Sequence, residues 1–369
     1  MSMPPQPAST APPPAQPVSP SNRVAPDSLV RILRARLGKN LTNGQLIHGC
    51  SVRMLKKRLS SKQVMAYKLA LFDPATNNKS YLELIGKRET GRAGAKAAQE
   101  FRAMRMLWER GFGTDRQFRI PRPIEHFPDL NLILEERAPG LALSSFVGRN
   151  DETSRAHFMA AGVWLARLHN LKTLPGVCSY EPELAALKVF VDELSASLPS
   201  LSPELQRLDA VIRQKFASFQ GTATTMVHGD FHPENILVAG GSTTVVDFDR
   251  FCFSDPARDL GSFVAHVRTR ACVSGKSLAA ANQEVDAFRN GYFSAIPLAR
   301  GACLARRIAP FVAHACLEAL YYVACVMKVP DPGLHAIYLR SGLDSGVLAV
   351  AAPRASDTQR AYAAGVGGV

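Results

Sequence analysis

The chain has 369 residues, of which 46% are hydrophobic and 20% are charged, as in an ordinary soluble globular protein. The length is too great for one small core and predicts two lobes. The formal net charge of +13 is uneven. Residues 1–122 hold 22 Lys and Arg against 7 Asp and Glu, whereas residues 123–369 hold 22 against 24. A nucleotide site in the basic N-terminal third would account for part of this excess, and no zinc-finger spacing or aromatic-interleaved basic groove favours nucleic acid.

The two ends of the chain predict no folded structure. Residues 1–26 contain nine prolines and a single charged residue, Arg23. This composition predicts a disordered tail. Residues 351–369 are rich in Ala and Gly and predict a loose C-terminal tail. The N-terminus lacks the pattern of a secretory signal, and the seven cysteines have no C-x-x-C spacing. We therefore expect a cytoplasmic protein without a disulfide framework or a zinc site; its oligomeric state is left open.

The N-terminal third predicts a small antiparallel sheet with one main helix. Asp27-Ser28 caps a short helix that Gly38 ends. A longer helix is predicted over Gly94–Arg110, ended by Gly111 and Gly113. Three extended runs predict the strands: residues 51–59, 64–72 and 81–87. The turn Ser60–Gln63 is where a loop covering a nucleotide would lie, although it has no G-x-G.

The rest of the chain predicts a larger, mostly helical lobe. A strand at Leu132–Glu135 leads to Pro139-Gly140, a hinge between an N-lobe at 27–138 and a C-lobe at 139–350. The apolar stretch Ile308–Met327 contains Pro310 and Glu318, which favours a buried helix over a membrane span. The predicted helices are 153–171, 182–219 with a break at Pro199, 256–270, 278–293, 303–328 and 332–343.

One stretch of the C-lobe carries chemistry, namely His228-Gly229-Asp230-Phe231-His232-Pro233-Glu234-Asn235. Asp230 can accept a proton from a hydroxyl, and Asn235 can hold a magnesium ion together with Asp247. Asp230 and Asn235 have the spacing of a D-x-x-x-x-N catalytic loop. A hairpin of residues 236–238 and 244–246, with Gly240-Gly241 at its turn, would bring Asp247 back beside Asn235.

These motifs resemble the aminoglycoside phosphotransferase-like (choline kinase-like) family, which shares the protein-kinase fold. The resemblance rests on three runs: H-G-D-F-H-P-E-N-I-L-V at 228–238, V-V-D-F-D at 245–249 and D-P-A-R-D-L at 255–260. L-A-R-L-H at 165–169 and L-I-L-E-E-R-A-P-G at 132–140 also look like the family's helix before the catalytic loop and its hinge. The resemblance implies an α+β, two-lobed, protein-kinase-like fold and an ATP-dependent transfer of phosphate to a small-molecule hydroxyl.

The resemblance also implies roles for individual residues. Asp230 is the general base, and Asn235 and Asp247 bind Mg²⁺. His228 braces the catalytic loop, and Asp259 anchors this loop or the segment after it. Because a loose phosphoryl transition state requires mainly positioning and neutralisation of charge, Asp230 need not be strongly basic.

The same resemblance implies a nucleotide site in the N-lobe. Lys87, at the end of the third strand, matches the family's phosphate-binding lysine, and Glu100 is its partner. The adenine would contact the backbone from Glu136 to Ala138. ATP is the expected nucleotide, and GTP remains an alternative.

Several features leave the detailed function open. The nucleotide loop lacks glycines, Asp249 stands where protein kinases have the Gly of D-F-G, and the loop reads H-G-D rather than H-R-D. The H-G-D loop and the lack of an A-P-E segment after Asp247 favour a small-molecule kinase over a protein kinase. A non-catalytic nucleotide-binding scaffold, and an RNA- or membrane-associated protein, are the competing hypotheses. No motif identifies the acceptor as a sugar, an amino alcohol or an aminoglycoside. The acidic candidates for binding a cationic acceptor are Glu181, Glu183, Asp192, Glu193 and Glu318.

Overall fold

The structure is a computed structural model that describes residues 26–37, 45–57, 62–89, 94–171, 176–219 and 221–347. The predicted N-terminal tail at 1–26, apart from Pro26, which begins a helix, lies outside these residues. The predicted C-terminal tail at 351–369 and Ser60-Ser61 of the predicted nucleotide loop also lie outside them. Two compact units are formed, one from residues 1–56 and 65–84 and the other from residues 57–64 and 85–369. The predicted lobe boundary at residues 138 and 139 stays a prediction.

The first unit contains a helix and the start of a sheet. Arg34 on the helix donates from Nε to the backbone oxygen of Ile47 on the first strand at 2.7 Å. Buried Leu33 and Leu69 form part of its core. Its elements are helix α1 (Pro26–Leu37) and strands β1 (Leu46–Lys57), β2 (Lys62–Asp73) and the first part of β3 (Asn78–Glu89). The predicted helix and the three predicted strands are therefore present.

The turn from β2 to β3 is formed by local side-chain bonds. Asp73 accepts from the N–H of Ala75 at 2.9 Å and from the hydroxyl of Thr76 at 2.8 Å. Asn77 adopts a left-handed backbone with φ of 54°, which asparagine tolerates better than most residues. This tight turn sets β2 and β3 side by side, and β3 continues into the second unit from Ile85.

The second unit begins with the rest of this sheet and one helix. The sheet has the strand order β1-β2-β3-β6-β5. Helix α2 ends at Leu107, earlier than the predicted Arg110, and passes into a single π-helical turn whose Gly111 has φ of 109°. The new elements are α2 (Gly94–Leu107), β4 (Phe118–Arg119), β5 (Pro123–Phe127), β6 (Leu132–Glu136) and β7 (Leu141–Ala142).

The helical part of the second unit encloses the largest core. Close helix packing depends on glycine: a Cβ on Gly162 would lie 2.0 Å from the backbone oxygen of Phe288, and one on Gly291 would lie 2.1 Å from that of Met159. The helices are α3 (Glu152–His169), α4 (Glu181–Ser197), α5 (Ser202–Ala217), α6 (Ala257–Val273), α7 (Leu278–Ser294), α8 (Leu298–Tyr321) and α9 (Pro332–Leu343). The predicted break at Pro199 is therefore present, between α4 and α5.

The strands of the C-terminal half carry the predicted hairpin. Strand β9 (Ile236–Ala239) pairs antiparallel with β10 (Ser242–Val245), and Gly240 and Gly241 form the turn with φ of 53° and 81°. Strand β7 pairs with β9, and β4 runs parallel to β10. A separate pair joins β8 (Thr225–Val227) to β11 (Cys252–Ser254). The hairpin brings its two ends together, as the motif requires.

Helix α8 starts at Leu298, five residues before the predicted start at Cys303. With the turn that follows, Leu298–Val326 is the one segment of the described chain that is long and apolar enough to cross a bilayer. It packs against α4, α6 and α9, and 61% of its most apolar window is buried inside the protein. The small antiparallel sheet followed by a mainly helical part confirms the predicted fold class.

Gly162→Ala is expected to lower the stability of the helical unit by about 3 kcal/mol, because the added methyl group overlaps backbone that cannot rotate away. Gly49→Ala is the matched control, since its Cβ would lie 3.9 Å from that of Ala70. Urea unfolding followed by circular dichroism measures both. Equal midpoints for the two variants would contradict the close crossing of α3 and α7.

Candidate active site

The catalytic loop lies between β8 and β9 and is fixed by a fully buried carboxylate. Asp259, in the first turn of α6, accepts from the backbone N–H of His228 at 2.7 Å and of Gly229 at 2.8 Å. Its Oδ2 is also 3.1 Å from Nε2 of His169, whose Nδ1 is 2.9 Å from the Tyr292 hydroxyl. Burial alone would raise the pKa of Asp259, but His169 and the backbone bond outweigh it and hold the pKa below its usual range. These are the contacts expected of the predicted anchor.

Gly229 allows the loop to turn where it does. Its φ of 81° lies in the left-handed region, and a Cβ there would lie 2.2 Å from the backbone oxygen of Arg250. His228 bonds through Nε2 to the backbone oxygen of Val246 at 3.0 Å. The H-G-D segment therefore contacts the segment after β10 at two places, through the backbone of Gly229 and through the ring of His228.

The phenylalanines that follow the two acidic motif residues anchor both segments in the core. Phe231 and Phe248 are buried, and their ring centroids lie 5.9 and 6.4 Å from that of Trp164. Phe231 also contacts Phe263 of α6 at 5.7 Å. Because each aromatic ring is adjacent in sequence to an aspartate, the core positions Asp230 and Asp247.

Asp230 is ionised. Its Oδ2 lies 3.6 Å from Nε2 of His232. Burial would raise the pKa of Asp230, but His232 and the Arg250 guanidinium outweigh it and hold the pKa well below its usual range. His232 in turn bonds through Nδ1 to Glu234 at 3.0 Å, and the two carboxylates overcome the effect of burial and raise the pKa of His232 to about 9.

His266, on α6, is half-buried beside His232 of the catalytic loop. Its ring stacks on that of His232 with centroids 4.7 Å apart. Its ring nitrogens have no hydrogen-bond partner within the described part of the protein. Burial and the neighbouring His232 lower the pKa of His266 to about 4, so the ring is neutral at pH 7.

The hairpin brings Asn235 and Asp247 together, as predicted. The N–H of Val246 donates to the backbone oxygen of Asn235 at 2.9 Å, so Asp247 follows directly on this pairing. Asn235 donates from Nδ2 to the backbone oxygen of Asp230 at 3.0 Å, which directs its amide oxygen elsewhere. Asp247 has a left-handed backbone with φ of 70°, an unusual conformation that places its carboxylate at the turn. An amide oxygen and a carboxylate are the hard oxygen ligands that Mg²⁺ prefers, so this pair fits that ion.

Lys87 is the centre of a buried charge cluster. Its Nζ lies 2.8 Å from Glu100 Oε1, 3.2 Å from Glu135 Oε2 and 3.6 Å from Asp247 Oδ1. Lys87, Glu100 and Glu135 are 6%, 4% and 3% exposed, so water screens them little. Burial would lower the pKa of Lys87, but the three carboxylates raise it well above its usual value. The structure therefore brings Lys87 into contact with Glu100, its predicted partner, and with Asp247, a predicted metal ligand.

Glu135 was missed by the sequence analysis. It lies on β6, and its Oε2 has no aligned hydrogen-bond donor among the described residues, although Lys87 is near. Burial is the main cause that raises the pKa of Glu135 to about 7, and Glu100 adds to it while Lys87 opposes it. The sequence signal was a carboxylate directly after the apolar run 132–134. A carboxylate in a buried strand is stable only when it has a cationic or hydrogen-bonding partner.

The predicted adenine-binding backbone lies at the end of β6. The N–H of Glu136 donates to the backbone oxygen of Arg122 at 2.9 Å, so this N–H is already used. Ala138 follows two residues later and is half-buried. Glu136 and Ala138 are thus one and three residues after Glu135, the last residue of the Lys87 cluster along β6.

Comparison with known families identifies the class of protein. The model of the phosphotransferase enzyme family APH matches residues 76–295, which is more than half of the chain. The match includes Lys87, Glu100, the catalytic loop and Asp247. The chain therefore belongs to this phosphotransferase family. No protein with a curated description matches the sequence.

Solved structures support the same fold. A glucosamine kinase in complex with glucosamine, ADP and inorganic phosphate is 18% identical, with a TM-score of 0.57 over 86% of this chain and 85% of that one. A choline kinase from Cryptosporidium parvum Iowa II is 11% identical, with a TM-score of 0.57 over 87% and 97%. A spectinomycin phosphotransferase is 13% identical, with a TM-score of 0.54 over 90% and 100%. The predicted family and the kinase-like fold are confirmed, and the family match shows that the chain is a phosphotransferase.

Glu135→Gln is expected to be more stable than the wild type at pH 8 by about 2 kcal/mol, with the difference vanishing near pH 5. The folded pKa of about 7 lies above the unfolded value, so the wild type loses stability as pH rises from about 4.5 through 7. Glutamine resembles the protonated carboxyl and removes this loss. Urea unfolding at several pH values measures it.

Glu100→Gln is the matched control for this pH dependence. It removes the charge from the 2.8 Å contact with Lys87 and is expected to be less stable than the wild type at pH 8. If Glu135→Gln were also destabilised at pH 8, the assignment of Glu135 as an ionised, poorly bonded carboxylate would be wrong.

Proposed function

We propose that the chain transfers the γ-phosphoryl group of ATP to a hydroxyl of a small molecule, with Asp230 as the base. The proposal gives Asn235 and Asp247 the role of Mg²⁺ ligands and Lys87 that of a ligand of the nucleotide phosphates. Membership of the phosphotransferase family supports the reaction class. The individual roles rest on the geometry described above.

One observation carries the proposal: Lys87 Nζ lies 3.6 Å from Asp247 Oδ1. Lys87 comes from β3 and Asp247 from the end of the β9–β10 hairpin, 160 residues later, and they meet in a buried site. A lysine and a metal-binding carboxylate must lie this close if both are to act on the same phosphate chain. Asn235 and Asp230 are joined to this site through the hairpin and the catalytic loop.

The ionised Asp230 orients and deprotonates the acceptor. As the acceptor oxygen forms its bond to the γ-phosphorus, the bond from that phosphorus to the β–γ bridging oxygen breaks and ADP leaves. The hydroxyl proton passes to Asp230 Oδ and then to solvent. The low pKa of Asp230 is compatible with this role, because in a loose transition state the proton is transferred late and positioning dominates.

The remaining residues bind and orient the nucleotide. Glu100 fixes the direction of Lys87, whose ammonium neutralises phosphate charge. Bound at Asn235 and Asp247, Mg²⁺ would supply further neutralisation of phosphate charge. The backbone from Glu136 to Ala138 is proposed to hold the base of the nucleotide. GTP remains an alternative to ATP, and both are compared in the test below.

The non-catalytic scaffold remains the second hypothesis from the sequence, and the site argues against it. A scaffold needs Lys87 and a metal ligand, but has no use for an ionised aspartate fixed by a fully buried anchor. Asp230, Asn235 and Asp259 are all in place and bonded to one another through the loop.

Asp230→Asn is expected to lower kcat about a thousandfold while changing the dissociation constant for Mg-ATP less than about threefold, because it removes the base and leaves the phosphate ligands. Acceptor-dependent ADP release over a panel of hydroxylated metabolites measures kcat, and ³¹P NMR locates the transferred phosphate. ATP and GTP are compared in parallel. Retained turnover in this variant would overturn the assignment of the base.

Asp247→Asn separates the metal ligand from the base. It is expected to weaken Mg-dependent nucleotide binding at least about tenfold, measured by calorimetry with and without Mg²⁺. Asp209→Asn, on α5 in an ion pair with Arg213, is the matched control and should behave as the wild type. Nucleotide affinity in Asp247→Asn equal to that of the control would contradict the proposed metal site.

A further inference from the structure

The acidic side chains near Asp230 already have cationic partners. Glu318, on α8, pairs through Oε1 with Arg250 Nη1 at 2.7 Å. Glu234, on the catalytic loop, pairs through Oε1 with Arg270 Nη1 at 2.7 Å and through Oε2 with Nδ1 of His232 at 3.0 Å. Glu318 and Glu234 are therefore both already paired with a cationic side chain.

The other acidic candidates from the sequence are also engaged or lie at the surface. Glu183 is buried, with Oε1 3.4 Å from Arg258. Asp192 pairs with Lys188 at 2.5 Å, and burial together with Glu193 raises the pKa of the neighbouring Tyr321 hydroxyl. Glu181 lies exposed in the first turn of α4. None of the five forms an acidic wall facing Asp230.

Arg250 is the side chain that an incoming amine would meet. Arg250 and Glu318 are half-exposed, at 48% and 38% of their side chains, so the pair faces solvent on the side of Asp230. The backbone of Arg250 lies against Gly229, the residue before Asp230, and this places the Arg250–Glu318 pair beside the proposed base. A ligand ammonium that approaches Glu318 is therefore attracted by one charge and repelled by the adjacent guanidinium.

A neutral hydroxylated ligand meets no such opposition. Each guanidinium retains N–H groups beyond the one bonded to its carboxylate, and each carboxylate retains lone pairs. Sugar hydroxyls both donate and accept, so they match alternating donors and acceptors. Arg250–Glu318 and Arg270–Glu234 form two such pairs around the catalytic loop.

We propose that the acceptor is a neutral polyhydroxylated molecule of the sugar type, and that the Arg250–Glu318 pair excludes amine-bearing acceptors. This inference rests on the proposed function and specifies the substrate class of that site. The pair acts on specificity, and Arg250 also contributes to keeping Asp230 ionised.

A binding experiment tests the exclusion without needing turnover. Arg250→Met removes the repelling charge and leaves Glu318 unpaired, so affinity for the aminoglycoside neomycin, used as a polyamine probe, is expected to rise about tenfold. Glu318→Gln is the matched control, and the double variant should return to wild-type affinity. Calorimetry measures binding, and thermal unfolding confirms that each variant is folded.

The outcomes of the binding experiment are distinct. Weak binding of neomycin to the wild type, a gain in Arg250→Met and loss of that gain in the double variant support the proposal. Tight binding to the wild type overturns it. Unchanged affinity in Arg250→Met, including a continued lack of binding, also overturns it because the pair then excludes nothing.

A turnover experiment tests the substrate class directly. Pairs of sugars that differ by one amine, beginning with glucose and glucosamine, are compared as acceptors with Mg-ATP. The neutral member is expected to have a kcat/KM at least about tenfold higher, and a preference for the amino sugar overturns the inference. A lack of ADP release with every acceptor counts against the proposed function. The binding experiment does not depend on turnover, so it still shows whether the site excludes cationic ligands.

Discussion

A single buried carboxylate, Asp259, holds the catalytic loop in place. It accepts two consecutive backbone N–H groups, from His228 and Gly229, and a third bond from His169. An ionised carboxylate without water around it is costly unless it is fully bonded, and here three donors meet that condition. Because His169 lies on α3 and is bonded to Tyr292 of α7, this one group joins the catalytic loop to three helices. Loss of any donor would leave a buried charge short of partners.

The chain reaches this anchor only because Gly229 has no side chain. The left-handed turn at Gly229 lets the loop contact the backbone of Arg250, which follows the second motif. The same contact places Arg250 beside Asp230, where its guanidinium contributes to keeping that carboxylate ionised. One anchoring carboxylate and one glycine thus determine both where the proposed base lies and which cation is next to it.

The parts that sequence reasoning predicted are those with local signals. The β9–β10 hairpin follows from Gly240-Gly241 between two apolar runs, and the catalytic loop follows from its residue spacing. The earlier start of α8 had a local signal as well, Pro297 directly before Leu298. The end of α2 lies within the usual uncertainty at helix termini.

What sequence reasoning missed depends on pairs that are far apart in the chain. Arg250 and Glu318 are 68 residues apart, and Arg270 and Glu234 are 36 apart, so no local pattern shows that they neutralise one another. Glu135 had a weak signal, a carboxylate in an apolar strand, but its partner Lys87 is found only through the sheet. Such pairings are created by tertiary packing and become visible when the fold is known.

These pairings give the two sides of the site different charge balances: one side has excess negative charge, and on the other side the carboxylates are paired with arginine. On the nucleotide side one ammonium, Lys87, faces three carboxylates, so these residues carry excess negative charge and disfavour a bare polyphosphate. A nucleotide that arrives with a divalent cation reverses this, because the cation meets the excess negative charge while Lys87 meets the phosphates. On the proposed acceptor side, Glu318 and Glu234 each form an ion pair with an arginine. The ionised group there that is proposed to contact the reacting hydroxyl is Asp230. Under the proposed function, the nucleotide side would favour a metal-bound nucleotide by charge, and the acceptor side would select its acceptor by hydrogen bonds and shape.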